Sequence, residues 1–270
     1  GEMRVAFTNR SSDAAAFAIQ PGTGVANGDV WFEEEDNSSF NPGYEAADPS
    51  TNLNNWGTAA GNGLAANNAK VRTMGLGDSG YSFRSAMHEI GHAIGLEHPH
   101  DGFVFPNEYD STKFTVMSYE AYRNDFLESS PMVYDIAAVQ YLYGTNFSTN
   151  ASNTIYQFQS GIGTTDVPPM LDTIWDGGGI DLIDMSLLQN SCDINLNDGT
   201  YSKVGYSKSG WVNDYNLGIA LGTIIENVNG GSAADIIRGN EYSNQIDGKG
   251  GNDIIYGGGG SDIFVCSVGG

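Results

Sequence analysis

Basic residues are scarce in this chain. Eleven Lys and Arg stand against 33 Asp and Glu, for a formal net charge of −22. Such a surface repels phosphate backbones and anionic headgroups, which argues against nucleic acid and membrane surfaces as partners. No apolar run approaches the ~20 residues of a membrane span. The N-terminus has no basic region followed by an apolar stretch, so no signal peptide is expected. Cysteine is nearly absent: Cys192 and Cys266 leave room for one bridge at most and give no disulfide framework. Charged residues make up only 16% against 40% hydrophobic, so the chain should fold rather than stay disordered. Its 28.7 kDa suits two modest domains or one large one.

Histidine is rare as well, and its placement is not random. All four histidines of the 270 residues fall between His88 and His100, in the run His88-Glu89-Ile90-Gly91-His92-Ala93-Ile94-Gly95-Leu96-Glu97-His98-Pro99-His100. His88 and His92 are four apart and share one face of a helix, with Glu89 beside them. Gly95 offers the left-handed conformation that ends a helix and lets the chain turn back, bringing His98 toward the same point. Three imidazoles converging beside a carboxylate describe a catalytic zinc site with an open fourth position for water. The bland alternative is a helix with surface histidines and a glycine cap, and the full spacing weighs against it.

That spacing, H-E-x-x-H-x-x-G-x-x-H, resembles the metzincin zinc peptidases. Metzincins carry a methionine turn below the metal, and Thr115-Val116-Met117-Ser118-Tyr119 places Met117 19 residues after His98. Alone, Met117 would read as core filling and Tyr119 as a half-buried aromatic. The Met-Ser-Tyr form and Pro99 resemble the serralysin branch, which implies that Tyr119 ligates or approaches the metal and that Met117 is structural. His100 is a possible competing ligand but is expected to face solvent.

Upstream, Met3–Phe7, Ala14–Ile19 and Asp29–Phe32 read as strands. The resemblance makes them the later strands of the upper subdomain. It implies that Ala14, Ala15, Ala16, Phe17 and Ala18 form the sheet edge to which a peptide substrate adds as an antiparallel strand; sequence alone favours a plain edge strand. Residues 33–79 have no clear period and are expected to be an irregular excursion. Apolar positions at Phe83, Met87, Ile90 and Ile94 predict a helix over 81–96 with Ser82 as its cap. A second helix is expected from Pro131 to Gly144, with Asp135 a structural residue in its first turn. Its wording resembles the last helix of serralysin catalytic domains.

After Gly144 helix formers thin out, and a boundary near 145 divides residues 1–145 from 146–270. The tail repeats every nine residues. Asp235, Asn244, Asp253 and Asp262 keep that period, as do Gly230, Gly239, Gly248 and Gly257, and each acid or amide leads into a short apolar strand. This matches the calcium-binding RTX nonapeptide. Glycines permit the tight turns, Asp supplies charge for a hard cation, and the apolar residue fills a core between two parallel sheets. Two repeats make one turn of the roll, so Asp235 should pair with Asp253 and Asn244 with Asp262. Ala233 and residues 239–244 depart from the pattern. About two to four calcium ions are expected. The acid excess then has two readings, a plain soluble surface or a set of cation ligands, and the period favours the second.

Taken together, the sequence reads as an α+β metzincin-like catalytic domain (mixed sheet, zinc helix, C-terminal helix), apparently lacking the family's N-terminal part. An all-β parallel β-roll or sandwich domain follows it. The resemblance implies a secreted zinc endopeptidase acting on proteins or peptides. His88, His92, His98 and Tyr119 stand at Zn²⁺, Glu89 is the base, and a proteinaceous inhibitor is a possible partner. It implies further calcium positions at Asn150, Ser152, Thr154, Asp176, Gly178, Gly179, Asp181, Ile224 and Glu226, though Asp-Gly turn chemistry is an alternative for the acids. The competing class is a non-catalytic calcium-binding interaction module with a vestigial zinc site; a zinc hydrolase acting on something other than peptides is a third.

Overall fold

The computed structural model describes residues 4–8, 16–18, 29–33, 70–74, 81–101, 106–122, 127–158, 170–205 and 215–266. Three strands open the described chain: β1 (Arg4–Thr8), β2 (Ala16–Ala18) and β3 (Asp29–Glu33). They form a sheet in the order β1-β3-β2, parallel between β1 and β3 and antiparallel between β3 and β2. The expected edge strand is therefore at an edge, with Ala16, Phe17 and Ala18 in it; Ala14 and Ala15 lie outside the described residues.

Helix α1 (Tyr81–Ala93) packs on this sheet at β2 and β3. It already includes Tyr81, so Ser82 sits within its first turn rather than ahead of it. It also stops three residues earlier than expected. The Leu96 N–H bonds the Gly91 carbonyl at 2.9 Å and the Gly95 N–H bonds His92 at 3.0 Å, with Gly95 at φ +100°. That pair of bonds is the Schellman closure of a helix end. Helix α2 (Val133–Tyr143) runs between Met132 as N-cap and Gly144 at φ +84°. Met87, Leu96, Val116, Met117, Met132 and Leu171 form the core between the two helices and the strands beyond.

Residues 33–79 are not wholly irregular, because Lys70–Met74 forms β4. Its polar alternation carries little signal, and its partner lies far down the chain. Strand β5 (Leu127–Glu128) is similarly short. The rest is all-β: β6 (Thr154–Phe158), β7 (Met170–Ile174), β8 (Leu182–Asp184), β9 (Asp193–Asn195), β10 (Tyr201–Ser202), β11 (Leu217–Ile219), β12 (Asn227–Asn229), β13 (Ile236–Arg238), β14 (Gln245–Asp247), β15 (Ile254–Tyr256) and β16 (Ile263–Val265).

Alternate short strands go to opposite sheets. One has the order β16-β14-β12-β8-β6-β4 and the other β15-β13-β9, with every pairing in both parallel. Register pairs Ile236 with Ile254 and Gln245 with Ile263, each 18 apart. Row on row, Ile183, Val228 and Ile246 line one sheet and Ile194 and Ile237 the other, all at most 1% exposed. Each such side chain contributes about 1.5–3 kcal/mol on burial. The nine-residue glycine period has a steric reason as well: a Cβ at Gly230 would lie 2.5 Å from the Gly248 carbonyl oxygen. A four-stranded sheet, β10-β11-β7-β5, closes the region. Strands β4 and β5 precede residue 145 yet join the C-terminal sheets, so hydrogen bonding crosses the boundary drawn from composition.

Candidate functional site

The Schellman closure after α1 does two things. It reverses the chain so that His98 meets His88 and His92, and it presents the Leu96 carbonyl to His92. His92 Nδ1 donates to that carbonyl at 2.9 Å, His88 Nδ1 to the Val116 carbonyl at 2.8 Å, and His98 Nδ1 to Asp101 Oδ2 at 2.7 Å. Carbonyl and carboxylate oxygens only accept, so each Nδ1 carries the proton and each Nε2 is left with a lone pair. Those lone pairs face one another: His98 Nε2 is 3.2 Å from His88 Nε2 and 3.0 Å from His92 Nε2. Two nitrogens held ~2.0–2.1 Å from one tetrahedral zinc would lie roughly 3.3 Å apart. The donor set fits a zinc ion and has no proton of its own to relieve the repulsion. Burial pushes the His88 imidazole down to about 4 and lowers His92 too, which keeps both in the neutral, ligating form.

Met117 lies below this group. A Cβ on Gly91 would collide with its sulfur, so the glycine between His88 and His92 is what lets the methionine seat against the helix. The turn that carries it is held from α2. Buried Asp135 accepts from the Thr115 hydroxyl at 2.5 Å, and from the Val116 and Met132 N–H groups at 2.8 Å each. Since Val116 in turn holds His88, Asp135 anchors the first histidine at one remove. Burial pushes its carboxyl up to about 6, against the pull of the three donors.

Tyr119 stands 63% exposed, its ring centroid 5.5 Å from His88 and 4.5 Å from His98. Burial, then the charges of Glu89 and Asp101, raise its phenol above the ordinary range. Glu89 is half-buried on the same helix. His100 is exposed, as expected; it stacks on His98 at 5.1 Å and bonds Asp110 at 3.2 Å. Among the described residues, metal-type clusters occur at His88, His92 and His98 and at His98, His100 and Asp101. Asp101 and the carbonyls of Leu96 and Val116 are supporting residues that the motif does not encode. Asp101 was legible only as an acid three past His98.

The expected calcium positions also gather. Asp181 Oδ1 accepts the Thr154 N–H at 2.7 Å, and Glu226 Oε2 accepts the Asp181 N–H at 2.8 Å. Asp176 accepts from the Tyr156 hydroxyl at 2.6 Å and from the Gly178 N–H at 2.9 Å. The Asn150 amide donates to the Trp175 carbonyl at 3.0 Å, and the Ser152 carbonyl takes the Thr154 hydroxyl at 2.8 Å. A Cβ on Gly179 would stand 2.8–2.9 Å from Ser152, Asn153 and Asp181, so that turn is closely packed. Ile224 follows Thr223, whose hydroxyl is 3.4 Å from the Asp176 N–H. Asp181 Oδ2 is buried with no hydrogen-bond partner among the described residues. Burial first, then Asp176 and Glu226, push this carboxyl up to about 7. An orphaned buried oxygen beside two further acids fits a hard cation.

In the roll, Asp253 Oδ1 accepts from the Asp235 N–H at 2.9 Å and Asp262 Oδ1 from the Asn244 N–H at 3.0 Å, the pairs expected 18 residues apart. Asn244 differs from its carboxylate neighbours, for its amide already donates to the Glu226 carbonyl at 3.1 Å. No disulfide forms: Cys192 is buried, its thiol pushed up to about 12 by burial, and Cys266 is exposed.

A three-histidine metal-type site beside a parallel β-roll defines the class of protein. Residues 142–269 match the family described as "Peptidase M10 serralysin C terminal". The chain is 35% identical to metallopeptidase AprA of Pseudomonas marginalis over 91% of its own length and 50% of that protein's. It is 32% identical to serralysin B of Dickeya chrysanthemi (84% and 44%) and 33% identical to serralysin of Photorhabdus luminescens (89% and 54%). The chain is thus similar to the serralysins over most of its length, and it spans about half the length of the curated relatives it matches.

Proposed function

We propose that the chain is a secreted zinc endopeptidase of the serralysin type, with residues 1–145 as a metzincin-like catalytic domain and 146–270 as a calcium-stabilised roll. The observation that carries this is the convergence of three imidazole Nε2 atoms, that of His98 lying 3.0–3.2 Å from the other two, each ring fixed from behind by an acceptor on its other nitrogen. His88, His92 and His98 would hold the zinc. When bound, zinc supplies Lewis acidity and lowers the pKa of water toward neutrality. Glu89 takes the proton from the attacking water and passes it to the leaving amine. Tyr119, beside His88 and His98, donates its hydroxyl to the oxyanion of the tetrahedral carbon. Met117 forms the floor. The edge strand at Ala16–Ala18 gives a protein or peptide substrate backbone to pair with.

Ahead of the nine-residue repeats, Asp176, Asp181 and Glu226, with Gly178 and the carbonyls of Asn150, Ser152 and Thr154, would hold calcium. Asp235, Asp253 and Asp262 extend the series, while Asn244 contributes an amide in place of a carboxylate. The acid excess is then partly neutralised by bound cations.

The test is metal content against proteolysis. One zinc per chain, lost in His98→Ala, together with hydrolysis of a labelled protein that stops on chelation, is the expected result. A chain that binds zinc at these histidines and cleaves no protein would favour the calcium-binding interaction module instead.

A further inference from the structure

Glu128 sits on β5 with its side chain 1% exposed, and neither carboxylate oxygen has a hydrogen-bond donor among the described residues. Burying a carboxylate without a fixed counter-charge is strongly unfavourable. Its counter-charge is Arg84, whose Nε lies 3.4 Å from Oε2. Arg84 stands one turn before His88 on α1, so the two project to the same side. The other end of the guanidinium reaches the methionine turn, where Nη2 donates to the Ser118 carbonyl at 3.1 Å. Ser118 is wholly buried, and its hydroxyl donates to Asp110 at 2.5 Å. The next residue is Tyr119. Strand β5 in turn is paired in parallel with β7, Glu128 standing opposite Leu171.

We propose that Arg84, held by Glu128, is a positioning residue for the histidine site: it fixes the Ser118 carbonyl, and with it the peptide that sets Tyr119 beside His88 and His98. The proposal rests on the zinc-site reading above. A guanidinium paired at one end with a buried carboxylate has less freedom at the other, so Ser118 is fixed by two partners, Arg84 at its carbonyl and Asp110 at its hydroxyl. Lysine in place of Arg84 would keep the charge for Glu128 but lacks the planar fork that reaches Ser118 at the same time. No step of the reaction passes through the pair.

The experiment uses the full chain loaded with cobalt(II), whose visible absorption reports the ligand set and its geometry. The principal variant is the double R84M/E128M, which removes the buried carboxylate together with its half-buried counter-charge at similar volume, an exchange that often leaves stability unchanged or raised. It should keep cobalt binding and fold, show an altered cobalt spectrum, and lower kcat roughly tenfold to a hundredfold with little change in KM. R84K should fall between wild type and the double variant. A folded double variant with the wild-type spectrum and kcat would overturn the positioning role. Should the double variant not fold, R84K decides by the same readouts, an unchanged spectrum and kcat overturning the proposal. A wild-type chain that takes up no cobalt overturns the underlying histidine site itself, an outcome distinct from a variant that matches wild type.

Discussion

At Asp135 one carboxylate accepts three hydrogen bonds while only 3% exposed, and two tendencies oppose each other. The donors favour the charged form; burial disfavours it and prevails, raising the carboxyl from 3.8 to about 6. Between those values the folded chain holds a proton that the unfolded chain releases. The contribution of this group to stability is therefore fully present below about pH 4 and is lost as pH rises to about 6, a change of about 3 kcal/mol. Chemical unfolding of wild type and Asp135→Asn across pH 4–8 checks this. The wild-type advantage should fall from pH 4 to 6 and stay level above 7. An advantage that grows over the same window would mean that the three donors outweigh burial. The sequence marks Asp135 as a first-turn acid and no more, because two of its three partners lie 19 and 20 residues upstream in a turn with no period of its own.

Among the elements, α1 was the most legible and its end the most consequential. The apolar spacing gives the helix, and Gly95 gives the stop, but the three-residue difference in its boundary reflects a closure set by hydrogen bonds that no spacing records. At φ +100° an alanine at 95 would be strained by about 1–2 kcal/mol. Because the same closure supplies the Leu96 carbonyl to His92 and turns His98 inward, Gly95→Ala should lower the melting temperature and weaken zinc binding about tenfold or more. Competition with a chromophoric chelator measures the second effect. Zinc affinity equal to wild type would detach the turn from the site. The roll strands were legible for a different reason: a nine-residue period and an 18-residue register are properties of the sequence itself. Strands β4 and β5 were not, since Lys70–Met74 pairs with Thr154–Phe158 and Leu127–Glu128 with Met170–Leu171, each far off in sequence and lacking a repeat.

For the whole molecule, the two sequence regions share sheets. Leu171 of β7 lies in the core that holds Met117 and Met132, and Glu128 on β5 reaches Arg84 on α1. The proposed calcium and zinc sites are thus joined through β5 and β7. Each calcium site saturated 100-fold over its Kd would add about 2.7 kcal/mol of stability, and without the cation Asp181 keeps an orphaned buried oxygen among like charges. A calcium-selective chelator should therefore lower the melting temperature, with hydrogen exchange speeding first in β6, β8 and β12 and then in α1. A melting temperature unmoved by calcium removal would show that the acids are turn residues only. The histidine pattern and the nonapeptide were readable in the sequence because each set of residues is local; the supports around them were not, because Arg84, Glu128 and Asp135 act across 19 to 44 residues.

The most direct measurement compares hydrolysis of a labelled protein by the wild-type chain and by Glu89→Ala, both loaded with zinc and calcium, with zinc content read in parallel. The account predicts one zinc per chain in each and a loss of about 10²–10⁴-fold in hydrolysis in the variant, the contribution of a positioned general base. Hydrolysis equal in the two, or absent in a wild-type chain that holds its zinc, would contradict it.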